Sequence, residues 1–413
     1  MKDTLVKKYA RALVEVGVNL QPGETVVLQA DTESLPLARE ITKVSYEKGA
    51  RDVQVRIDDP WIEHERIQGT AAEELGEEPE WEKESLDYYL RREKRVQIGI
   101  HSSHPDLNSD CDPASLQAYF KAKNDLRNVI RNYIHKGTLK WTGSCWPCRE
   151  WAEKVYPELS SDEALEQLEK DLCAFMHVSE DTDPVEEWHK HLDTLADRSH
   201  KLNSYQFDRV HITSELGTDI EIGLIKNHIW VSAGEMGSTN VSEPYVANMP
   251  SYEVFNAPNW RRVNGIAYAS FPLLMSGKLV KDFWIRFEEG RAVECGASQN
   301  VDALEAALFR NENTRHLGEV ALVSKRSPIK QTGRIFYNGL IDENAACHLA
   351  FGSSFPDCVQ GGTDMTEEEL YALGVNFAVS HNDFMIGTDD TKIAGICEDG
   401  TEVVIMEHGD FVI

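Results

Sequence analysis

The spacing between apolar runs changes once along this chain, and that change limits what it can fold into. In the first part, GETVVLQA, DVQVRI and RVQIGIH are separated by amphipathic stretches of helical length, such as SLPLAREITKVSYEKGA. Connections of that length leave room for a crossover, which lays successive strands parallel. From about Phe207 the runs follow one another closely: FDRVHITS, DIEIGLI, HIWVSAG and GIAYAS. Short connections favour antiparallel pairing. KLVKDFWIRFEEGRAVECGA and KIAGICEDGTEVVIMEHGDFVI read as hairpins turning at Glu288-Glu289-Gly290 and Asp399-Gly400. Between Asp112 and Ser204 the pattern is mostly helical and reads as a bridge, with Ser160 or Ser161 as a helix cap. The expectation is an α/β N-terminal domain with a parallel sheet and its helical bridge (residues 1–185). An α+β C-terminal domain with a mainly antiparallel sheet (186–413) follows.

Charge narrows the partners. Seventy acidic against 42 basic residues give a formal charge of −28, a field that repels phosphate backbones and anionic lipid. Neither nucleic acid nor a membrane is therefore an expected partner. The opening, MKDTLVKKYARALVEVGVNL, is a charged amphipathic helix rather than a secretory signal, and no stretch approaches the roughly 18 apolar residues of a membrane span. Eight scattered cysteines make no disulfide framework, so a cytoplasmic protein with reduced thiols is expected. Cys145 and Cys148, in GSCWPCREW, read as incidental surface cysteines or an occasional disulfide rather than a redox pair or structural zinc site. His101 and His104, in HSSHPD, read as loop residues. No glycine-rich dinucleotide fingerprint follows a strand.

The strongest chemical signal is a set of ionisable residues inside apolar runs of the C-terminal half. His381 and Asp383 stand two apart in HNDFMIG, so in an extended chain they share a face. Glu253 lies in PSYEVF, Glu319 heads the run LGEVALV, and Glu343 and His348 share the helix-like stretch DENAACHLAFG. A carboxylate entering a core strand is costly unless it is paired or holds a metal. Each glutamate alone is more often a salt-bridged strand end. Together the six form an oxygen and nitrogen donor set suited to two divalent ions such as zinc, cobalt or manganese. Glu343 and His348 stand about 140° apart on an ideal helix, so they serve one site only if Glu343 precedes the regular helix.

These motifs, with YARALVEVGVNLQPGE, WAEKVYP, GTDIEIGL and LGEVALVSKRSPI, resemble the metallo-aminopeptidase family that includes aminopeptidase T, aminopeptidase S and PepS, nearly end to end. The resemblance implies a two-domain homodimer that releases N-terminal residues from peptides with a free N-terminus. It also implies a dinuclear centre of zinc, cobalt, manganese or magnesium. Carried over position by position, the metal ligands would be Glu253, Glu319, Glu343, His348, His381 and Asp383. Glu319 is the first candidate for bridging ligand or base, and Glu343 the second. Three positions depart from the family pattern. Tyr252 replaces a glutamate, Phe355 a tyrosine whose hydroxyl is thought to assist at the substrate carbonyl, and Ala378 a serine. Two rival readings accompany this one. His348, His381 and Asp383 alone would suit a mononuclear non-haem iron dioxygenase, and the thinned polar surroundings would suit a non-catalytic metal- or peptide-binding relative.

Overall fold

The computed structural model describes residues 1–92, 94–235, 243–275 and 277–413, with every side chain among them except that of His135. The chain divides into two compact units. The first holds Met1–Lys190 and residues 243–249; the second holds the chain from His191, together with Pro250–Ile413.

The first unit opens with α1 (Asp3–Arg11), which runs on as a π-helical segment to Gly17. Four strands follow: β1 (Thr25–Asp31), β2 (Asp52–Asp58), β3 (Arg95–His101) and β4 (Lys140–Cys145). They form one sheet in the order β2-β1-β3-β4, with every pairing parallel, as their helical connections require. The crossovers are α2 (Leu35–Glu47), then α3 (Pro60–Gly69), α4 (Ala72–Leu75) and α5 (Glu80–Leu90), then α6 (Pro113–His135). Val26, Val27 and Leu28 of β1 and Val96, Ile98 and Ile100 of β3 are buried in its core. The strand order turns between β1 and β3, because β2 extends one side of β1 and β4 the far side of β3.

Beyond β4 come α7 (Arg149–Val155), α8 (Ser161–Phe175) and α9 (Pro184–Tyr205). Ser160 and Glu163 close a reciprocal capping box on α8. The expected helical bridge from Asp112 is interrupted, since α6 is a crossover of the sheet and β4 a strand. That strand, KWTGSC, escapes a search for apolar runs because it buries Lys140, Thr142 and Ser144. The Lys140 ammonium is held 3.0 Å from a Glu24 carboxylate oxygen and donates at 3.0 Å to the Asn19 carbonyl. The cysteine expectation is also corrected. Cys145 ends β4, Cys148 caps α7, and both are buried free thiols, pushed up to about 12 by burial. Among the described residues no helix is long and apolar enough to cross a membrane.

The second unit is α+β and its strand pairings are antiparallel. Its strands are β5 (Arg209–Thr213), β6 (Asp219–Leu224), β7 (Val231–Ser232), β8 (Glu253–Asn256), β9 (Pro258–Tyr268), β10 (Leu273–Met275) and β11 (Lys278–Val280). They continue with β12 (Trp284–Glu288), β13 (Arg291–Gly296), β14 (Leu317–Val323), β15 (His348–Gly352), β16 (His381–Met385), β17 (Lys392–Ile396), β18 (Glu402–Glu407) and β19 (Asp410–Phe411). Eight strands form one sheet, β13-β12-β9-β6-β5-β17-β18-β19, which contains both expected hairpins. At the first hairpin's turn Glu289 and Gly290 take positive φ, and a Cβ on Gly290 would stand 1.8 Å from the Trp260 carbonyl oxygen. A second sheet, β16-β15-β14-β8-β7, carries the candidate site. Its central strand β14 is buried along all seven residues, on both faces.

Candidate metal centre

Register builds the site. Glu319 on β14 stands opposite Ala350 on β15, and Ala350 stands opposite Asp383 on β16. Residues paired this way point to one face, so the Ala350 methyl leaves open space between two carboxylates. One row along, His348 is flanked by Ala321 and Met385, and the row on the other side pairs Gly352 with His381. Glu253, at the head of β8, pairs with Val323 and joins the same face through the alternation of β14. Gly352 has φ +112°, and a Cβ there would lie 2.1 Å from the Ser380 carbonyl oxygen. Only glycine lets the β16 backbone approach at this point, which sets His381 into the row.

Five of the six expected donors form two compact groups, Glu253–Glu319–His348 and Glu319–His381–Asp383, each with its donor atoms within 4.8 Å of one another. Glu319 belongs to both. His381 Nε2 lies 2.9 Å from Glu319 Oε2 and 3.0 Å from Asp383 Oδ1, and His348 Nε2 lies 3.1 Å from Glu253 Oε2. Each imidazole is oriented from behind. His381 Nδ1 donates to the Ser353 carbonyl at 2.6 Å and His348 Nδ1 to the Ala346 carbonyl at 3.2 Å. A carbonyl can only accept, so each Nδ1 carries its proton and each Nε2 faces the carboxylates, as in a metal-binding histidine.

Glu343 stands apart from these two groups. It is the last residue of the third helix of this unit's second half; with α10 (Val301–Leu308) and α11 (Pro328–Gln331) preceding it, that helix is α12 (Gly339–Glu343). His348 opens a strand, so DENAACHLAFG is not one helix and the 140° difficulty disappears. Burial and the charges of Asp383 and Glu253 raise the Glu343 carboxyl well above its ordinary range, with His348 opposing and Glu319 adding to them. It therefore feels the charges of the cluster.

The other groups behave as a cation site would make them. Burial alone would lower His348, but the Glu253 carboxylate, with Glu319 and Asp383, raises it to about 10. His381 is likewise driven well up against burial by Asp383 and Glu319. Burial raises Glu319 despite His381, whereas His381 outweighs burial at Asp383 and lowers it. Glu253 Oε2 is shut from solvent, with the His348 ring nitrogen 3.1 Å away. Three carboxylates packed against two imidazoles, with the Glu343 carboxyl feeling their charge, can stay ionised in this buried place only when a cation offsets them, and divalent cations would do so. The residues fit such ions.

Several supporting residues carry no signal in sequence. Asp342 accepts from the backbone N–H groups of Phe336 at 2.7 Å and Asn338 at 3.1 Å, which anchors α12, and burial pushes its carboxyl up to about 7. Asn344 Oδ1 accepts from Tyr252 N at 2.6 Å and so steadies the approach to Glu253. Tyr252 itself is buried against the His191 ring, 4.7 Å between centroids, while Phe355 packs on His381 at 5.0 Å and on Phe255 at 5.6 Å. Ala378 is half-buried in the loop before β16.

An antiparallel sheet presenting clustered carboxylates and oriented imidazoles defines a metallohydrolase-like centre. The chain belongs to the thermophilic metalloprotease family M29, whose family model matches residues 2–411. It is 39% identical over 409 residues to the aminopeptidase PepS of Streptococcus thermophilus, covering 99% of this chain and 98% of that protein. The aminopeptidase AmpS of Bacillus subtilis is 36% identical over 403 residues, 98% of this chain and 97% of its own. Among solved structures, wild-type AmpT from Thermus thermophilus superposes with a TM-score of 0.91 at 30% identity, covering 99% of both chains. A 2,5-dihydroxypyridine dioxygenase from Pseudomonas putida matches with a TM-score of 0.53 at 12% identity, a likeness of fold alone.

Proposed function

We propose that this protein is a metal-dependent aminopeptidase that hydrolyses the first peptide bond of substrates with a free N-terminus at a dinuclear centre. The observation that carries the reading is the sharing of Glu319 by two donor groups, which suits a pair of adjacent ions better than the single ion of a dioxygenase. Glu253, Glu319 and His348 would hold one ion, and Glu319, His381 and Asp383 the other, with Glu343 completing the set. Zinc, cobalt, manganese and magnesium all accept such donors. Bound divalent ions would supply the Lewis acidity that activates water and polarises the scissile carbonyl.

The chain's own groups have separate tasks. Ser353 and Ala346 carbonyls fix the two imidazoles, so no reorientation is needed during turnover. Glu319, shared by the two donor groups, is the first candidate to take the proton of the attacking water and pass it to the leaving amine, and Glu343 is the second. Phe355 packs its ring on His381 and offers no hydroxyl to the substrate oxygen. A homodimer is the assembly the family resemblance suggests.

The test is hydrolysis of aminoacyl-p-nitroanilides and short peptides by metal-stripped protein reloaded with one ion at a time, with metal content measured alongside. Metal-dependent release from unblocked but not acetylated substrates is expected, with at least about two ions bound per chain. Full loading without turnover would overturn the enzyme reading, and oxygen uptake with iron(II) would restore the dioxygenase.

A further inference from the structure

Two motifs of the first unit, HSSHPD and CWPCRE, have no part in the peptidase chemistry, yet the parallel sheet brings them together. His101 and Cys145 end β3 and β4 and are paired neighbours in the last row. The loops leaving β1, β3 and β4 start from one edge of the sheet, beside the turn in strand order, where open α/β sheets take their ligands. There His104, Cys148 and Glu150 each present a donor atom, and the three atoms lie within 4.8 Å of one another. Tetrahedral ligands about 2.0–2.3 Å from one zinc ion stand roughly 3.3–3.8 Å apart, so a small side-chain adjustment would close the set.

The state of His104 is the second observation. Both ring nitrogens are shut from solvent, and neither has a hydrogen-bond partner among the described residues. An imidazole in that position calls for a partner, and a cation would supply one. The Cys148 thiol is buried and donates only weakly, to the Ser103 carbonyl at 3.3 Å. Negative charge gathers here too. Burial and Glu150 raise the carboxyl of Glu33, on the loop after β1, with His104 opposing and Asp31 and Asp59 adding to them. A second group, His64–Asp110–Cys111, is equally close-set, but its atoms already have partners: His64 Nδ1 lies 3.2 Å from Asn108 Oδ1, and Asp110 accepts from Gln68 at 2.9 Å.

We propose that His104, Cys148 and Glu150 bind a divalent cation of the zinc class at the carboxyl edge of the N-terminal sheet, separate from the peptidase centre. The imidazole and thiolate form its inner side, the exposed Glu150 carboxylate its rim, and a fourth position stays open to water.

The donor chemistry makes the two centres distinguishable, because only this one contains sulfur. Full-length protein, stripped of metal, is titrated with cobalt(II) alone. The expected result is a thiolate-to-cobalt charge-transfer band in the near ultraviolet. Cys148→Ser and His104→Ala abolish it, while Cys111→Ser and Glu319→Gln retain it. Glu150 is exposed, so Glu150→Gln folds even if loss of a buried ligand does not. In that variant cobalt affinity read from the band falls at least about 10-fold. No band in the unaltered protein, a band surviving Cys148→Ser, or undiminished affinity in Glu150→Gln would overturn the proposal.

Discussion

Glu319 is the residue whose loss is expected to cost most, because one carboxylate serves both donor groups. Glu319→Gln keeps the volume and removes the charge. Turnover is expected to fall by at least 10²–10³, on the order seen when one transition-state stabilising group is removed. Metal content should fall with it while circular dichroism is unchanged; turnover near that of the parent would refute the role. Phe355 gives the opposite experiment. Its ring lies 5.0 Å from that of His381, so a para hydroxyl would be added beside the site with little change of packing. Phe355→Tyr is expected to raise kcat by roughly 10-fold or more with KM little altered, if the hydroxyl acts on developing charge as oxyanion donors do. A variant no faster than the parent shows that the chain has made its catalysis independent of a donor there.

At the scale of elements, the site depends on small residues as much as on charged ones. Ala350 lies between Glu319 and Asp383 in one row of the sheet. Ala350→Leu would fill that space, and overpacking of this kind costs about 1–3 kcal/mol. The expected outcome is a folded protein with a lowered Tm and less than half the parent's metal; normal loading would show that the row does not define the cavity. This is also where sequence legibility ends. The donors could be found one by one, because a carboxylate or imidazole inside an apolar run stands out. Their convergence could not, since it rests on register between strands distant in the chain. His348 reads as helical among alanines because small residues carry little β signal, yet β14 and β16 pair on either side of it and fix it as strand. β4 is hidden for a different reason: its buried Lys140 is neutralised by Glu24, a partner that local pattern cannot supply. The parallel and antiparallel halves were legible because connection length dictates strand direction.

For the whole molecule, the cluster links metal, pH and stability. Folded-state values are raised for Glu319, Glu343, His348 and His381, so the metal-free fold holds more protons there than the unfolded chain. Stability from such groups is fully present below their unfolded values and is lost as pH rises. The window runs from the ordinary glutamate value of 4.5 to about 10 for His348. Asp383 is lowered and acts in the opposite sense, but below 3.8, outside that window. Metal-stripped protein should therefore show a Tm that falls between pH 5 and 9, at up to about 1.4 kcal/mol per pH unit for each proton lost. Loaded protein should resist that fall, and by linkage its metal affinity should climb with pH over the same range. Parallel Tm profiles with and without metal would contradict this.

The alternation of β16 has a consequence for biogenesis. A slip of one residue against β15 would carry His381 and Asp383 to the opposite face, while leaving most backbone hydrogen bonds available for re-pairing. Such a mispaired sheet could remain compact, but it would have lost half of its cation trap. Divalent ions that bind only the correctly registered cluster would, by mass action, favour molecules with the correct pairing. Copies synthesised under metal starvation should accumulate as a mixture of registers that later supplementation only slowly converts.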